Sequence, residues 1–149
     1  MEKVIGKYRI VREIGKGGMA IVYKALEAGT QGRVALKVLL PSMVDRSTVE
    51  RFNREAQAMA RLKHPNIIEV YDFGMTGGQH YLAMEFIEGE SLKTLIKQKG
   101  PLPVKKSLDV ITQVGKALAY AHSEGMIHRD IKSGNIMITI VIIDISKYL

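Results

Sequence analysis

His128-Arg129-Asp130-Ile131-Lys132-Ser133-Gly134-Asn135 decides how this 149-residue chain is read. The octet fits H-R-D-x-K-x-x-N, a pattern that sets a carboxylate, an ammonium and an amide a few residues apart. It follows a long helical segment and precedes an unbroken apolar run, Ile136 to Ile143. A charged turn between a helix and a strand could carry similar residues. Five matched positions, in a fixed order behind two further motifs, make that alternative a poor one.

The first of those motifs is Gly15-Lys16-Gly17-Gly18-Met19-Ala20-Ile21-Val22, which fits G-x-G-x-x-[G/A]-x-V. Glycine is needed where backbone amides must approach phosphates without an intervening side chain. A dinucleotide-binding turn would need a helix directly after the glycines. Ile21-Val22-Tyr23 is strand-like instead, so the loop reads as a hairpin over a ligand, or as an ordinary flexible hairpin. The second motif is Val34-Ala35-Leu36-Lys37. A lysine in a buried strand is costly unless its charge is paired. Glu55, one residue before Ala56 on a helical apolar stripe, is the candidate partner; a lysine snorkelling from a strand edge is the plainer alternative.

Around these motifs the pattern gives strands at 8–14, 21–26 and 33–40, then a helix, then strands at 67–73 and 80–87 joined through Gly77-Gly78. Ser47-Thr48-Val49-Glu50 reads as a capping box opening the helix, which runs to about Lys63 before His64-Pro65-Asn66 stops it. Val49, Phe52, Ala56, Met59 and Ala60 form its apolar stripe. From Ser91 the pattern is helical: 91–99, then 104–124 with Leu108, Ile111, Val114, Leu118 and Ala121 as the stripe and Gly125 beyond its end. A strand-rich half, 1–87, thus precedes a helical one, 88–149.

Composition bounds the chemistry. There is no cysteine, so disulfides, thiolate catalysis and Cys-ligated metals are excluded. The N-terminus lacks the apolar core of a signal peptide, and the longest apolar run is far short of the roughly 20 residues of a membrane helix. A cytoplasmic location and no membrane segment are the expectation. The net charge of +7 permits nucleic acid, yet lysines and arginines look scattered and are not interleaved with aromatics. A nucleic-acid partner is not expected.

Taken together, the three motifs make the chain resemble the protein kinase family over nearly its whole length. It is most similar to bacterial-type (Hanks-type) serine/threonine kinases, with Tyr8-Arg9-Ile10 leading into Gly-Gly-Met-Ala and with Lys132 two residues after Asp130. The resemblance implies an α+β kinase-like fold: a five-stranded antiparallel N-lobe with one helix, and a truncated, mainly helical C-lobe. It implies ATP and Mg2+ as cofactors and phosphoryl transfer to serine or threonine of a protein. Asp130 would accept the hydroxyl proton, Lys132 would neutralise the moving phosphoryl group, and Asn135 would hold magnesium together with Asp144. Gly15, Gly17 and Gly18 would cover the phosphates; Lys37, paired with Glu55, would bind them. Met84 would be the gatekeeper and Glu85-Phe86-Ile87 the hinge, with Val22, Ala35 and Met137 sandwiching the purine. Arg129 would grip a phosphorylated activation loop.

Three departures qualify that picture. Ile143-Asp144-Ile145-Ser146 stands where the family has Asp-Phe-Gly. One alignment deletes Phe-Gly; another seats Ile145 in the phenylalanine slot beside Met59, Val70 and His128. Residues 136–143 contain no turn residue, so a single strand is at least as reasonable as a hairpin, and it would carry Asp144 away from the metal. A kinase lobe that lacks the activation segment and later helices beyond Leu149 is the expectation. Weak or absent activity is therefore expected, with a non-catalytic nucleotide-binding or oligomerising module as the alternative. An uncovered 104–124 stripe and an unturned apolar run also predict a homodimer or oligomer that exchanges C-terminal strands.

Overall fold

A computed structural model describes residues 2–127, 130–138 and 141–143. The chain divides into two units, 1–60 with 70–86, and 61–69 with 87–149.

The first unit is built on one antiparallel sheet. Its strands are β1 (Val4–Ile5), β2 (Tyr8–Lys16), β3 (Ala20–Glu27), β4 (Arg33–Leu39), β5 (Val70–Thr76) and β6 (Gln79–Glu85), ordered β1-β2-β3-β4-β6-β5. The expected five strands become six because a turn at Gly6, whose φ is +57°, folds Val4–Ile5 back onto β2. That two-residue strand is too short to show a period. Along β4, Val34, Leu36 and Val38 enter one apolar cluster with Ile5, Tyr8, Tyr23, Ala25 and Ala83. Strand alternation therefore sends Ala35, Lys37 and Leu39 to the opposite face. Asp72 closes the cluster's edge by accepting from Tyr8 Oη at 3.2 Å and Tyr81 Oη at 3.0 Å.

The helix α1 (Arg46–Ala60) lies against β5 and buries Phe52, Ala56 and Met59, spaced one turn apart. Burying a side chain such as Phe52 is worth about 1.5–3 kcal/mol. Its start corrects the Ser47 capping box. Asp45 is the cap: its carboxylate accepts from Thr48 N at 2.9 Å and from Thr48 Oγ1 at 2.7 Å. Those two bonds hold the Asp45 carboxyl below its ordinary value. A carboxylate at that position also suits the positive end of the helix better than a serine two residues on. The helix stops at Ala60 rather than near Lys63.

Residues 61–69, which the pattern places with the strand-rich half, belong to the second unit instead. Lys63 N donates to Tyr120 Oη at 2.9 Å, and Asn66 Nδ2 donates to Gln113 Oε1 at 2.9 Å. These anchors keep 67–69 out of the sheet, so β5 begins at Val70 and not at Ile67. Tyr120 and Gln113 lie on α3 (Val104–Ser123), which follows β7 (Glu90–Ser91) and α2 (Leu92–Lys99). Ser91 caps α2 by accepting from Thr94 N at 3.1 Å, and Gly125, at φ +80°, ends the α3 turn. The buried face of α3 is Val110, Val114, Ala117 and Ala121; Leu108 and Ile111 are exposed. The expected stripe is thus rotated, with Val114 and Ala121 buried and Leu118 half-buried.

The apolar run after Asn135 is a hairpin, not one strand. The strands β8 (Ile136–Ile138) and β9 (Val141–Ile143) pair antiparallel, with Ile136 opposite Ile143, and β8 also pairs with β7. Pairing of β8 with strands on both sides, and of the hairpin with the neighbourhood of α3, outweighs the missing turn signal.

Candidate functional site

The candidate residues fall in both units. In the first, β2 and β3 meet at the glycine loop, closed by Gly17 N donating to Ala20 O at 2.9 Å, with Leu40 N donating to Met19 O at 2.8 Å. Gly15, Gly17 and Gly18 all have ordinary backbone angles, and a Cβ on any of them would meet no atom nearer than 3.8 Å. Neither conformation nor packing inside the protein asks for glycine there. What remains is approach by an external group to the bare backbone.

Register assembles the rest of this half. Val22 is opposite Lys37, and Lys37 is opposite Leu82; two residues along, Ala35 is opposite Met84. Val22, Ala35, Lys37 and Met84 therefore share one face of the sheet, the face away from the Tyr8 cluster. Ala35, Lys37 and Met84 are buried, Lys37 to 6% exposure, so the lysine is no edge residue. Glu85 pairs with Val34 at the end of β6.

Glu55 projects from α1, and Lys37 and Arg51 both act on it electrostatically. Burial pushes its carboxyl above the ordinary value, and Arg51 and Lys37 pull less strongly the other way. Its Oε2 is buried without a hydrogen-bond partner among the described residues. Arg51 was legible only as an i, i+4 neighbour of Glu55 and was missed. Asp45, which fixes the helix that carries Glu55, was missed for Ser47.

In the second unit the octet's polar groups do converge. Lys132 Nζ lies 3.2 Å from Asp130 Oδ2. Asn135 Nδ2 donates to Asp130 O at 2.8 Å and to its Oδ2 at 3.3 Å. Asn135 closes a 3-10 turn (Ser133–Asn135), its N–H donating to Lys132 O at 2.9 Å, and is 2% exposed. Asp130 and Lys132 are exposed, so the buried amide holds the carboxylate at the surface. Met137 follows on β8, opposite Ser91, and Ile87 is half-buried. His128, Arg129, Asp144 and Ile145 lie outside the described residues. Among those described, no three His, Asp or Glu side chains converge into a metal cluster, and no helix is long and apolar enough to cross a membrane.

The model of the protein kinase domain matches residues 8–145. The chain belongs to the protein kinase family. It is 46% identical over 134 residues to a probable serine/threonine-protein kinase of Clostridium acetobutylicum, covering 89% of the chain and 20% of that protein. It is 42% identical to serine/threonine-protein kinase PrkC of Bacillus subtilis, covering 92% of the chain and 21% of PrkC. To PknA of Mycobacterium tuberculosis it is also 42% identical, covering 90% and 32%. The PknI kinase domain of Mycobacterium tuberculosis superposes with a TM-score of 0.84 at 35% identity, covering 99% of the chain and 62% of that structure. The chain thus spans a fifth to a third of these curated relatives. The α+β kinase-like fold expected from the sequence is the one observed.

Proposed function

We propose that this kinase binds Mg-ATP and transfers its terminal phosphoryl group to a serine or threonine hydroxyl of a protein. The observation that carries the reading is the Asp130–Lys132–Asn135 cluster, a carboxylate held ready at the surface by a buried amide.

The residues present suit the nucleotide. The glycine loop is bare for no internal reason, and Lys37 offers a buried positive charge on the sheet face that Val22, Ala35 and Met84 make apolar. Within the first unit a purine would lie against those three side chains, with Glu85 offering backbone groups to its edge. With no three convergent carboxylate or imidazole ligands among the described residues, Mg2+ would share its coordination between the phosphates, Asn135 Oδ1 and the Asp144 carboxylate. When bound, Mg-ATP supplies the phosphoryl group and a charge-neutralising cation. The chain's own residues do the rest. Asp130 Oδ2 takes the proton of the attacking hydroxyl, Lys132 Nζ offsets negative charge on the moving group, and Glu55 steadies Lys37.

The test is incubation with labelled ATP and a basic protein substrate, beside a thermal-shift titration. Mg-ATP should raise the melting temperature, and transfer should be slow but dependent on Asp130. No stabilisation at millimolar ATP would sink the nucleotide reading. Stabilisation with transfer unchanged in Asp130→Asn would sink the catalytic one and leave a nucleotide-binding module.

A further inference from the structure

Residues 91–123 hold six lysines against one aspartate, most of the chain's net charge of +7. The lysines that look scattered along the sequence gather at the turn between α2 and α3. Lys97 and Lys99 end α2, Lys105 and Lys106 begin α3, and all four are exposed. None of the four makes an ion pair or side-chain hydrogen bond among the described residues. Between them Gly100, at φ +78°, stops α2, and Pro101 and Pro103 stiffen the exit. Next to Pro103 stands Val104, 76% exposed, the most exposed large apolar side chain described.

Lys97 and Lys99 have a local explanation, because cations favour a helix C-terminus. Lys105 and Lys106 do not. They occupy the first turn of α3, where a cation opposes the helix dipole, with no acidic residue in that turn and no side-chain cap at Pro103. The other two helices are capped by Asp45 and Ser91. The fold gains nothing local from these two lysines.

We propose that the α2–α3 turn is a docking surface for an anionic phospholipid bilayer. Val104 enters the interface, and the four lysines reach up to headgroup phosphates. Clusters of four to eight basic residues beside an apolar protrusion suit such a surface. Residues 91–119 contain no arginine and no aromatic side chain. The bidentate contacts that select phosphopeptides and the stacking that holds single-stranded nucleic acid are thus both missing. A second copy fits poorly, because a two-fold interface through this turn would set lysines against lysines. The surface is independent of the nucleotide reading.

The test is co-sedimentation with vesicles of phosphatidylcholine alone or mixed with phosphatidylserine. Binding should need phosphatidylserine, fall as salt is raised, and survive Lys37→Ala. Each lysine near such a surface is worth about a fivefold change in affinity, so Lys105→Ala with Lys106→Ala should weaken binding about 25-fold. That double variant should melt no lower than the parent, since it relieves the α3 dipole, which separates lost docking from unfolding. Arg54→Ala with Arg61→Ala, exposed cations elsewhere, should bind as the parent does. Equal binding to neutral vesicles, or equal loss in the arginine variant, would overturn the proposal. So would capture of an acidic peptide without vesicle binding, or a doubled mass abolished by Val104→Asp.

Discussion

The two candidate half-sites handle charge in opposite ways. In the first unit it is buried: Lys37 is 6% exposed, and Glu55 keeps a buried carboxylate oxygen without a hydrogen bond among the described residues. In the second it is exposed and already linked, with Lys132 and Asn135 both on Asp130. A half-buried carboxylate with one oxygen unbonded stores a cost that a new hydrogen bond to it would relieve. An exposed, satisfied cluster holds a carboxylate in place and leaves it accessible. On the proposed function, binding should depend on the first arrangement and proton transfer on the second.

The largest expected effect separates the two. Asp130→Asn should lower phosphoryl transfer by about 10²–10⁴-fold while leaving Mg-ATP stabilisation nearly intact. Lys37→Ala should abolish the ATP-induced rise in melting temperature, and transfer with it, because transfer needs bound ATP. Parallel thermal-shift and labelling assays read both, and an Asp130→Asn variant that also loses the ATP-induced rise would break the comparison.

Asn135→Ala comes next. It removes a buried amide and the bonds that hold Asp130, so denaturant unfolding should show a loss of about 1–3 kcal/mol. Unchanged stability would mean the cluster is not preorganised.

Glu55→Gln should stabilise the nucleotide-free protein at neutral pH. Burial raises the Glu55 carboxyl, so its folded form favours the proton. Stability is then fullest at or below pH 4.5, the ordinary value, and is lost as pH rises through the raised one. The glutamine variant should lack that decline in unfolding measured from pH 4.5 upward, at the expense of ATP affinity. A parent protein that gains stability over that window would show the carboxylate to be well satisfied.

The smallest effect tests the helix that carries Glu55. Asp45→Ala should cost about 1 kcal/mol by urea unfolding, and Ser47→Ala close to nothing, which the capping-box reading would have reversed.

That last contrast shows where the sequence was legible. Fixed-spacing chemistry could be read: the glycine loop, Lys37 in its strand and the 128–135 octet need particular side chains at particular positions. Register then sets Val22, Ala35, Lys37 and Met84 on one face, as strand alternation requires. Features decided by distant partners could not. Tyr120 and Gln113 lie about fifty positions from the 61–69 run they hold, and β7 is what settles β8–β9 as a hairpin. The α3 stripe was misjudged because Leu108 and Ile111 fit the helical period as well as Val110 and Ala117 do; only packing chooses between the two faces.

The 61–69 run carries one more consequence. The chain leaves the first unit at Arg61, returns at Val70 and leaves again after Phe86, so neither unit is one uninterrupted stretch. Leu62, Ile67 and Ile68, all buried, would travel with any piece cut at position 87 while Tyr120 and Gln113 stayed behind. A protein divided there would inherit one half with a bared apolar loop and another with a vacated seat. Such threading resists modular exchange: a recombination event between relatives that respects the strand-rich boundary still breaks the helical unit, so the two halves are expected to be inherited together.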